Sequence, residues 1–280
     1  MIIFKKQEDL RTYLSSQDGD TGFVPTMGAL HEGHIALISE ARKQSKTVVC
    51  SIFVNPTQFN DPTDFAKYPV TIEKDIDMLE RAGTDVVFLP SVAELYPQGI
   101  SSLEQYDLGD LEKVLEGKFR PGHFQGVCQV VNRLLRAVEP QKLFMGQKDY
   151  QQCMVIARLL ELGEFSIKLV TCPTVRETDG LAMSSRNRRL NPEERKNALG
   201  ISKALQFAAE AIGSLSLKEI KIKAHEILEQ HNFRVDYIEF ANSNDLRLVE
   251  QWEQPYPIVM LIAAFQEEVR LIDNRVLYPI

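Results

Sequence analysis

Residues 24–34 read Val-Pro-Thr-Met-Gly-Ala-Leu-His-Glu-Gly-His, and they join the end of one predicted strand to the start of a predicted helix. The first strand is predicted at 21–25, and the next, at 47–54, is rich in β-branched residues. Between them, apolar residues from 35 to 41 recur at helical spacing. A strand, a helix and a strand in succession predict a right-handed crossover between parallel strands. The segment 24–34 is therefore expected at a strand end, where open parallel sheets place ligands.

The alternation of helices and strands continues to about residue 175. The pattern predicts helices at 72–82, 125–138 and 150–162, and strands at 85–89, 142–145 and 166–171. Gly83 ends the first of these helices. This order predicts an α/β fold, a Rossmann-like open parallel sheet with helices on both faces.

After about Arg176 the order of elements changes. Asn191 is a typical helix cap before Pro192, and it begins the first of two predicted helices. The helices are predicted at 192–212 and 217–230, and the strands that follow them at 234–241, 258–265 and 269–273. Helices followed by strands are typical of a small α+β domain. We therefore expect a larger domain at 1–175 and a smaller C-terminal α+β domain at 176–280.

The composition is that of an ordinary globular protein. The chain has 280 residues, and its 32 Lys and Arg against 39 Asp and Glu give a net charge of −7. Such a surface repels nucleic acid and anionic membranes, so any anionic ligand needs a local basic site. The longest strongly apolar run, 258–265, is far shorter than the roughly 20 residues that span a bilayer, and the N-terminus lacks a signal-peptide pattern. We expect a cytoplasmic protein with no nucleic-acid or membrane partner, whose four widely spaced cysteines are reduced and buried.

The segment 24–34 carries the first candidate binding groups. Gly28 and Gly33 allow close approach of the backbone to a phosphate, and a helix start offers amide groups and a positive dipole end. His31 and His34 are three residues apart, and two imidazoles on one side of a first turn suit a polyphosphate whose charge grows during reaction. A plain capping role for both histidines stays open. Zinc is disfavoured, because the spacing is one residue short of His-Glu-x-x-His and no third ligand stands out.

Two further clusters offer groups that bind anions or ribose. In 146–152, Gly-Gln-Lys-Asp-Tyr-Gln-Gln, Lys148 can reach a phosphate and Asp149 can cap a helix or accept from ribose hydroxyls. In 183–189, Met-Ser-Ser-Arg-Asn-Arg-Arg, two hydroxyls stand beside three arginines, which form an anion receptor in an acidic protein. Each cluster alone is also explained as a helix cap, a solvated lysine or a basic loop. Together, the three clusters indicate a nucleoside triphosphate, although neither a dinucleotide fingerprint nor a Walker A motif is present.

These motifs also carry a resemblance to known proteins. PTMGALHEGH resembles the His-x-Gly-His signature of the nucleotidylyltransferase superfamily, and MSSRN resembles its mobile Lys-Met-Ser-Lys-Ser loop. Five strings are similar, in this order, to one family within it, the pantothenate synthetases or pantoate–β-alanine ligases. The strings are FVPTMGALHEGH, SIFVNPTQF, PGHFQGV, GQKDYQQ and GLAMSSRN, and they cover nearly the whole chain.

The resemblance implies a two-step ligation. ATP adenylates the carboxylate of pantoate and releases pyrophosphate, and the amine of β-alanine then attacks the acyl adenylate and releases AMP. It also implies a homodimer. The ATP chemistry implies Mg²⁺, and the loop around Ser184 with the basic cluster beside it suggests a lid that joins the C-terminal domain to the nucleotide-binding domain.

The resemblance further implies a set of site residues. Those implied as catalytic are His34, His31, Lys148, Ser184, Ser185 and Arg186. Those implied at ATP are Met27, Gly28, Ala29, Leu30, His31, Glu32, Gly33, His34, Gly146, Gln147, Lys148, Asp149, Val175, Met183, Ser184, Ser185 and Arg186. Gln58 and Gln152 match the glutamines that bind pantoate, and Gln58 is also implied near β-alanine. His123 has a supporting place in the cleft, and Asp75 is a weak candidate for a metal ligand because Lys74 stands beside it.

Two positions depart from the family pattern. The motif Phe-Gly-Glu-Lys-Asp reads Met145-Gly146-Gln147-Lys148-Asp149 here, so a thioether replaces a ring at a pocket wall and an amide replaces a carboxylate. These changes affect the expected shape of the pantoate pocket and leave the expected reaction unchanged.

Two alternatives stay open. Another nucleotidylyltransferase of the same superfamily would leave a stable nucleotide product, but it would need a cationic pocket for a phosphorylated substrate where this chain offers neutral glutamines. A nonenzymatic nucleotide-binding protein would retain the cleft, but all the expected catalytic positions are intact.

Overall fold

The computed structural model describes residues 1–60, 62–101, 103–252 and 256–278. The chain folds as two compact units. Unit 1 comprises Met1–Gln147 and Gln152–Pro173, and unit 2 comprises Lys148–Gln151 and Thr174–Ile280. Each unit has its own sheet and its own core.

Unit 1 contains a six-stranded parallel sheet. Its strands are β1 (Ile2–Phe4), β2 (Thr21–Thr26), β3 (Thr47–Ile52), β4 (Val86–Phe88), β5 (Lys142–Gly146) and β6 (Lys168–Cys172). Their spatial order is β1-β4-β3-β2-β5-β6, and every neighbouring pair is parallel. Since β2 lies between β3 and β5, the loops after these three strands leave the sheet side by side, at the carboxyl ends of the strands.

Helices cover both faces of this sheet. They are α1 (Gln7–Ser15), α2 (Glu32–Gln44), α3 (Pro62–Ala66), α4 (Ile72–Arg81), α5 (Val92–Leu95), α6 (Leu115–Phe119), α7 (His123–Val138) and α8 (Tyr150–Leu162). Short 3-10 helices occur at Pro56–Gln58, Gly109–Glu112 and Gln147–Asp149. Val24 belongs to a core with Leu37 of α2 and Leu79 of α4, whereas its neighbour Phe23 belongs to a second core with Phe124 of α7. Because successive strand residues point to opposite faces, β2 is covered on both sides.

Burial on both faces explains the composition of the central strands. All six residues of β3 are buried. Its sequence, TVVCSI, therefore lacks the polar alternation of a strand with one solvated face. The prediction for the cysteines is confirmed, since Cys50, Cys128, Cys153 and Cys172 are free and buried.

Unit 2 contains a three-stranded antiparallel sheet with helices packed on it. The strands are β7 (Phe233–Asn242), β8 (Ile258–Gln266) and β9 (Val269–Leu277), in the order β7-β8-β9. The helices are α9 (Pro192–Asn197), α10 (Leu199–Ala211) and α11 (Leu217–Gln230), with a 3-10 helix at Ser185–Arg189. Met260 and Ile262 of β8 share a core with Leu205 of α10 and Ile220 of α11.

The predicted fold class is confirmed, with differences in detail. The single helix predicted at 192–212 is wrong, because the chain forms two helices, α9 and α10, that meet at Ala198. The pattern predicts neither β1 nor α1, because Ile2 and Ile3 are 43% and 41% exposed and Leu10 is the one buried residue of α1. Among the described helices, none has the length and apolar character that a bilayer crossing requires. The lid role of residues 176–280 stays a prediction.

Candidate active site

The segment that follows β2 makes a tight turn before α2 begins at Glu32. Gly28 and Ala29 have φ angles of +78° and +51°, in the left-handed region. Glycine adopts this conformation freely, whereas for a residue with a Cβ it costs about 1–2 kcal/mol. The turn directs the amides of Ala29 and Leu30 onto one carboxylate, that of Asp75, at 2.9 and 2.8 Å.

Asp75 is the anchor of this loop. It lies in the first turn of α4, is 1% exposed, and also accepts a hydrogen bond from Thr71 Oγ1 at 3.0 Å. Both carboxylate oxygens thus accept hydrogen bonds inside the protein, which supports an anchoring role, and the weak assignment of Asp75 as a metal ligand stays a prediction. In the described parts of the chain, no three His, Cys, Asp or Glu side chains are grouped so that they could hold a metal ion.

His31 and His34 form a reciprocal cap at the start of α2. Nδ1 of His31 accepts from the Gly33 amide at 3.1 Å, and Nδ1 of His34 accepts from the His31 amide at 3.3 Å. The two ring centroids are 4.1 Å apart. Because Nδ1 accepts in each ring, the proton of the neutral imidazole resides on Nε2, which is then a donor. Capping fixes one tautomer in both rings, and it is compatible with the expectation that they also bind a ligand.

The backbone amides of this loop already have hydrogen-bond partners inside the protein. The prediction that the helix start offers free amide groups is wrong for Gly33, whose amide donates to His31 Nδ1. The amides of Ala29, Leu30 and His31, which precede the helix, also donate to side chains of the protein. The expectation that this loop binds a phosphate therefore rests on the two imidazole rings more than on these four amides.

The loop after β3 brings Gln58 to the loop after β2. Gln58 Nε2 lies 3.0 Å from Met27 Sδ, so the structure places these two predicted residues together. Gln58 Oε1 accepts from Asn55 Nδ2 at 3.2 Å. His123 Nδ1 donates to the carbonyl oxygen of Gln58 at 2.8 Å, which fits a supporting role for that histidine.

Asn55 is a site residue that the sequence analysis missed. It is fully buried, donates to the carbonyl oxygen of Gly126 at 3.0 Å, and accepts from the Tyr96 hydroxyl at 2.8 Å. Burial raises the pKa of Tyr96, so the phenol keeps its proton and remains a donor. The available signal was the pair Asn55-Pro56, which caps the 3-10 helix Pro56–Gln58.

Gly126 is a second missed position. A Cβ at this residue of α7 would lie 2.3 Å from the carbonyl oxygen of Thr57 and 2.8 Å from Cα of Gln58. Only glycine allows α7 to approach the Gln58 segment this closely.

The loop after β5 carries further predicted residues. Gly146 ends β5 and Gln147 begins the next 3-10 helix, and both are partly buried. Since β5 neighbours β2, they lie at the same sheet edge as the histidine loop. Gln152 is partly buried in the first turn of α8, and Met145 is buried in the core that contains Phe124.

Unit 2 carries the other predicted residues. The Met183 amide donates to the carbonyl oxygen of Val175 at 3.0 Å, so these two segments predicted at ATP are joined in one hairpin. Ser184 caps the 3-10 helix that follows, since its Oγ accepts from the Arg186 amide at 3.3 Å. Lys148 and Ser184 line the same pocket, which Asn187 and Asp273 also line. Ser185 is buried, and Asp149 is exposed.

Comparison with known proteins finds similarity along the whole chain. The Pantoate-beta-alanine ligase family model matches residues 2–276. A protein of Bacteroides thetaiotaomicron named pantothenate synthetase is 44% identical over 264 residues, which is 94% of this chain and 93% of that protein. The crystal structure of pantothenate synthetase from Thermus thermophilus is 41% identical with a TM-score of 0.93, and each chain is covered completely. A pantoate-beta-alanine ligase from Francisella tularensis, complexed with beta-gamma ATP and beta-alanine, is 36% identical with a TM-score of 0.82 over 99% of this chain and 97% of that one.

Proposed function

The chain belongs to the pantoate–β-alanine ligase family, and we propose that it works in two steps, with ATP first adenylating pantoate and β-alanine then displacing AMP. It is an enzyme of pantothenate synthesis that uses ATP. The observation that carries this assignment is the family match over residues 2–276. The two-step route follows from chemistry, because a carboxylate is a poor electrophile and a mixed anhydride with AMP provides a good leaving group.

In this proposal His34 and His31 donate from Nε2 to phosphate oxygens of ATP. Their Nδ1 atoms already accept backbone hydrogen bonds, so the rings are oriented before the reaction begins. A charge-assisted hydrogen bond contributes about 1.5–3 kcal/mol, which corresponds to roughly a 10- to 150-fold change in rate. His34→Ala should slow single-turnover adenylation by about that factor. An unchanged rate would refute the role of His34.

The glutamines provide a neutral pocket for pantoate. The hydrogen bond from Asn55 to Gln58 Oε1 fixes the amide orientation and presents Nε2 as a donor. Gln58 and Gln152 can then hold the oxygens of a hydroxy acid without an ion pair that would weaken the carboxylate as a nucleophile. Gln58 also contacts β-alanine in this proposal.

The residues of unit 2 serve the same nucleotide. Lys148, Ser184, Ser185 and Arg186 bind phosphate oxygens, while Asp149 binds the ribose and the Val175 backbone binds adenine. The support is their motif match and the pairing of the Val175 and Met183 segments by a backbone hydrogen bond. The C-terminal domain, with the loop around Ser184, acts as a lid in this proposal.

Magnesium enters the proposal as part of the substrate, Mg–ATP. The described residues do not fit a protein-held metal site, because Asp75 is engaged and no suitable group of ligands occurs among them. Phosphate oxygens and water are the expected ligands. We further propose, from the family resemblance, a homodimer in the cytoplasm, and light scattering on the purified chain measures the dimer.

The proposed function is tested by a product assay in which ATP, pantoate and β-alanine are omitted in turn. Pantothenate and AMP should form only in the complete mixture. Pantothenate formed without ATP, or none formed from the complete mixture, would refute the assignment. A stable nucleotide product that forms from the complete mixture in place of pantothenate would instead indicate another nucleotidylyltransferase.

A further inference from the structure

Two neighbouring side chains of β9 contact the proposed ATP-binding segments of unit 2. Asp273 and Asn274 are 4% and 3% exposed. Asn274 Nδ2 donates to the carbonyl oxygen of Lys148 at 2.9 Å. Asp273 forms a two-point ion pair with Arg176, at 2.6 and 3.1 Å. One strand thus reaches both segments.

The contact with Arg176 fixes the hairpin that carries Val175 and Met183. Arg176 Nη1 also donates to the carbonyl oxygen of Gly180 at 3.1 Å, and a β-bridge pairs Arg176 with Ala182. The Arg176 guanidinium therefore links Asp273 to one arm of the hairpin, and it also links that arm to the turn of the hairpin at Gly180. Planar two-point pairing of this kind restricts orientation as well as distance.

The contact with Lys148 fixes a segment of four residues. Residues Lys148–Gln151 belong to unit 2, although the chain on either side of them belongs to unit 1. The Tyr150 hydroxyl donates to the carbonyl oxygen of Ser243 at 2.7 Å and provides a second attachment. Asn274 provides the attachment at Lys148 itself.

The two contacts form one network. Asp273 Oδ1 accepts from Arg176 Nη2 and also from the backbone N–H of Asn274, the latter at 2.8 Å. Lys148, Ser184 and Asp273 line the same pocket. A shift of Asp273 would therefore be passed both to the hairpin and to Lys148.

We propose that Asp273 and Asn274 are positioning residues of the adenylation step. Together they fix the position of the Lys148 backbone relative to the Val175–Met183 hairpin. Neither side chain needs to touch ATP, because each acts through another residue. The inference rests on the proposed function, in which Lys148 and Ser184 bind the nucleotide. The sequence pattern ends β9 at residue 273, so Asn274 becomes visible as part of the strand only in the structure.

The test is steady-state kinetics of Asn274→Ala with each substrate varied in turn. Loss of one buried hydrogen bond should raise KM for ATP and lower kcat, with kcat/KM for ATP falling about 3- to 10-fold. KM for pantoate and for β-alanine should change less than about twofold. The control is Arg275→Gln, the next residue of β9, which is exposed and whose side chain donates to Gln206 Oε1. It should match the wild type.

Two further variants test the ion pair. Arg176→Lys keeps the charge and loses the two-point geometry, so it should raise KM for ATP selectively. Asp273→Asn combined with Arg176→Lys should cost less than the product of the two single effects, because both changes remove one interaction.

The outcomes separate this inference from the proposed function. If the wild type makes no pantothenate, the proposed function fails. If the wild type is active and both Asn274→Ala and Arg176→Lys keep wild-type KM for ATP and kcat, the positioning role is overturned. It is also overturned if every KM is unchanged and kcat falls only in proportion to the fraction of protein that is no longer folded, as measured from the thermal transition.

Discussion

The carboxylate of Asp75 gives the sharpest prediction for the histidine loop. It accepts from the amides of Ala29 and Leu30 and from Thr71 Oγ1, at 2.9, 2.8 and 3.0 Å. In Asp75→Asn, one amide oxygen can still accept, but the new NH2 group faces a backbone N–H and cannot bond it. The substitution changes one oxygen into a donor and leaves the side-chain volume nearly unchanged.

The expected cost follows from these contacts. One charge-assisted hydrogen bond is lost, at about 1.5–3 kcal/mol, and one buried amide loses its partner, at about 1–3 kcal/mol. The free energy of unfolding should therefore fall by about 2.5–6 kcal/mol, or Tm by roughly 5–24 °C at about 2–4 °C per kcal/mol. The left-handed turn at Ala29 also loses its restraint, so the adenylation rate should fall at least about 10-fold.

Calorimetry and single-turnover adenylation measure the two effects. The matched control is Asp77→Asn, two residues along α4, which breaks an exposed ion pair with Arg81 and should cost at most about 1 kcal/mol. Wild-type Tm together with wild-type adenylation in Asp75→Asn would refute the anchoring role. Recovery of the variant's activity at raised Mg²⁺ would instead indicate a metal ligand.

Three other changes test separate parts of the site. Gly126→Ala places a methyl group 2.3 Å from the Thr57 carbonyl oxygen, so it should displace the Gln58 segment and raise KM for pantoate more than KM for ATP. A variant with wild-type Tm and wild-type KM for both substrates would contradict this. Gln152→Glu should weaken pantoate binding through like-charge repulsion, and unchanged affinity by calorimetry would disprove its contact with pantoate. Burial raises the pKa of the Cys50 and Cys128 thiols to about 12, so both remain protonated below that pH. Iodoacetamide at about pH 8.5 should therefore leave both thiols unmodified in the native protein and alkylate them in the unfolded chain. Rapid modification of the native thiols would show that they are accessible.

Local patterns in the sequence predict most of the fold of unit 1. The helix predicted at 150–162 begins and ends where α8 does, because its apolar spacing is regular and a polar cluster precedes it. The helix predicted at 192–212 is interrupted at Ala198, a residue of high helix propensity, so nothing local marks the break. β1 is short and largely exposed, and it forms only because β4 pairs with it.

The site shows the same limit. His31 and His34 stand out in the sequence, because glycines and a helix start surround them. Asp75 does not, because its function depends on a contact with residues 29 and 30, more than forty positions earlier. Asn274 is likewise defined by its contact with Lys148 across 126 positions. Side chains that hold a site together through long-range backbone contacts leave no local pattern.

Pantoate-dependent exchange of labelled pyrophosphate into ATP, measured without β-alanine, tests the central claim of a pantoyl adenylate most directly. The two-step account predicts rapid exchange that needs pantoate and falls about 10-fold or more in His34→Ala. Pantothenate formation from the complete mixture, with no exchange in the absence of β-alanine, would contradict the adenylate route.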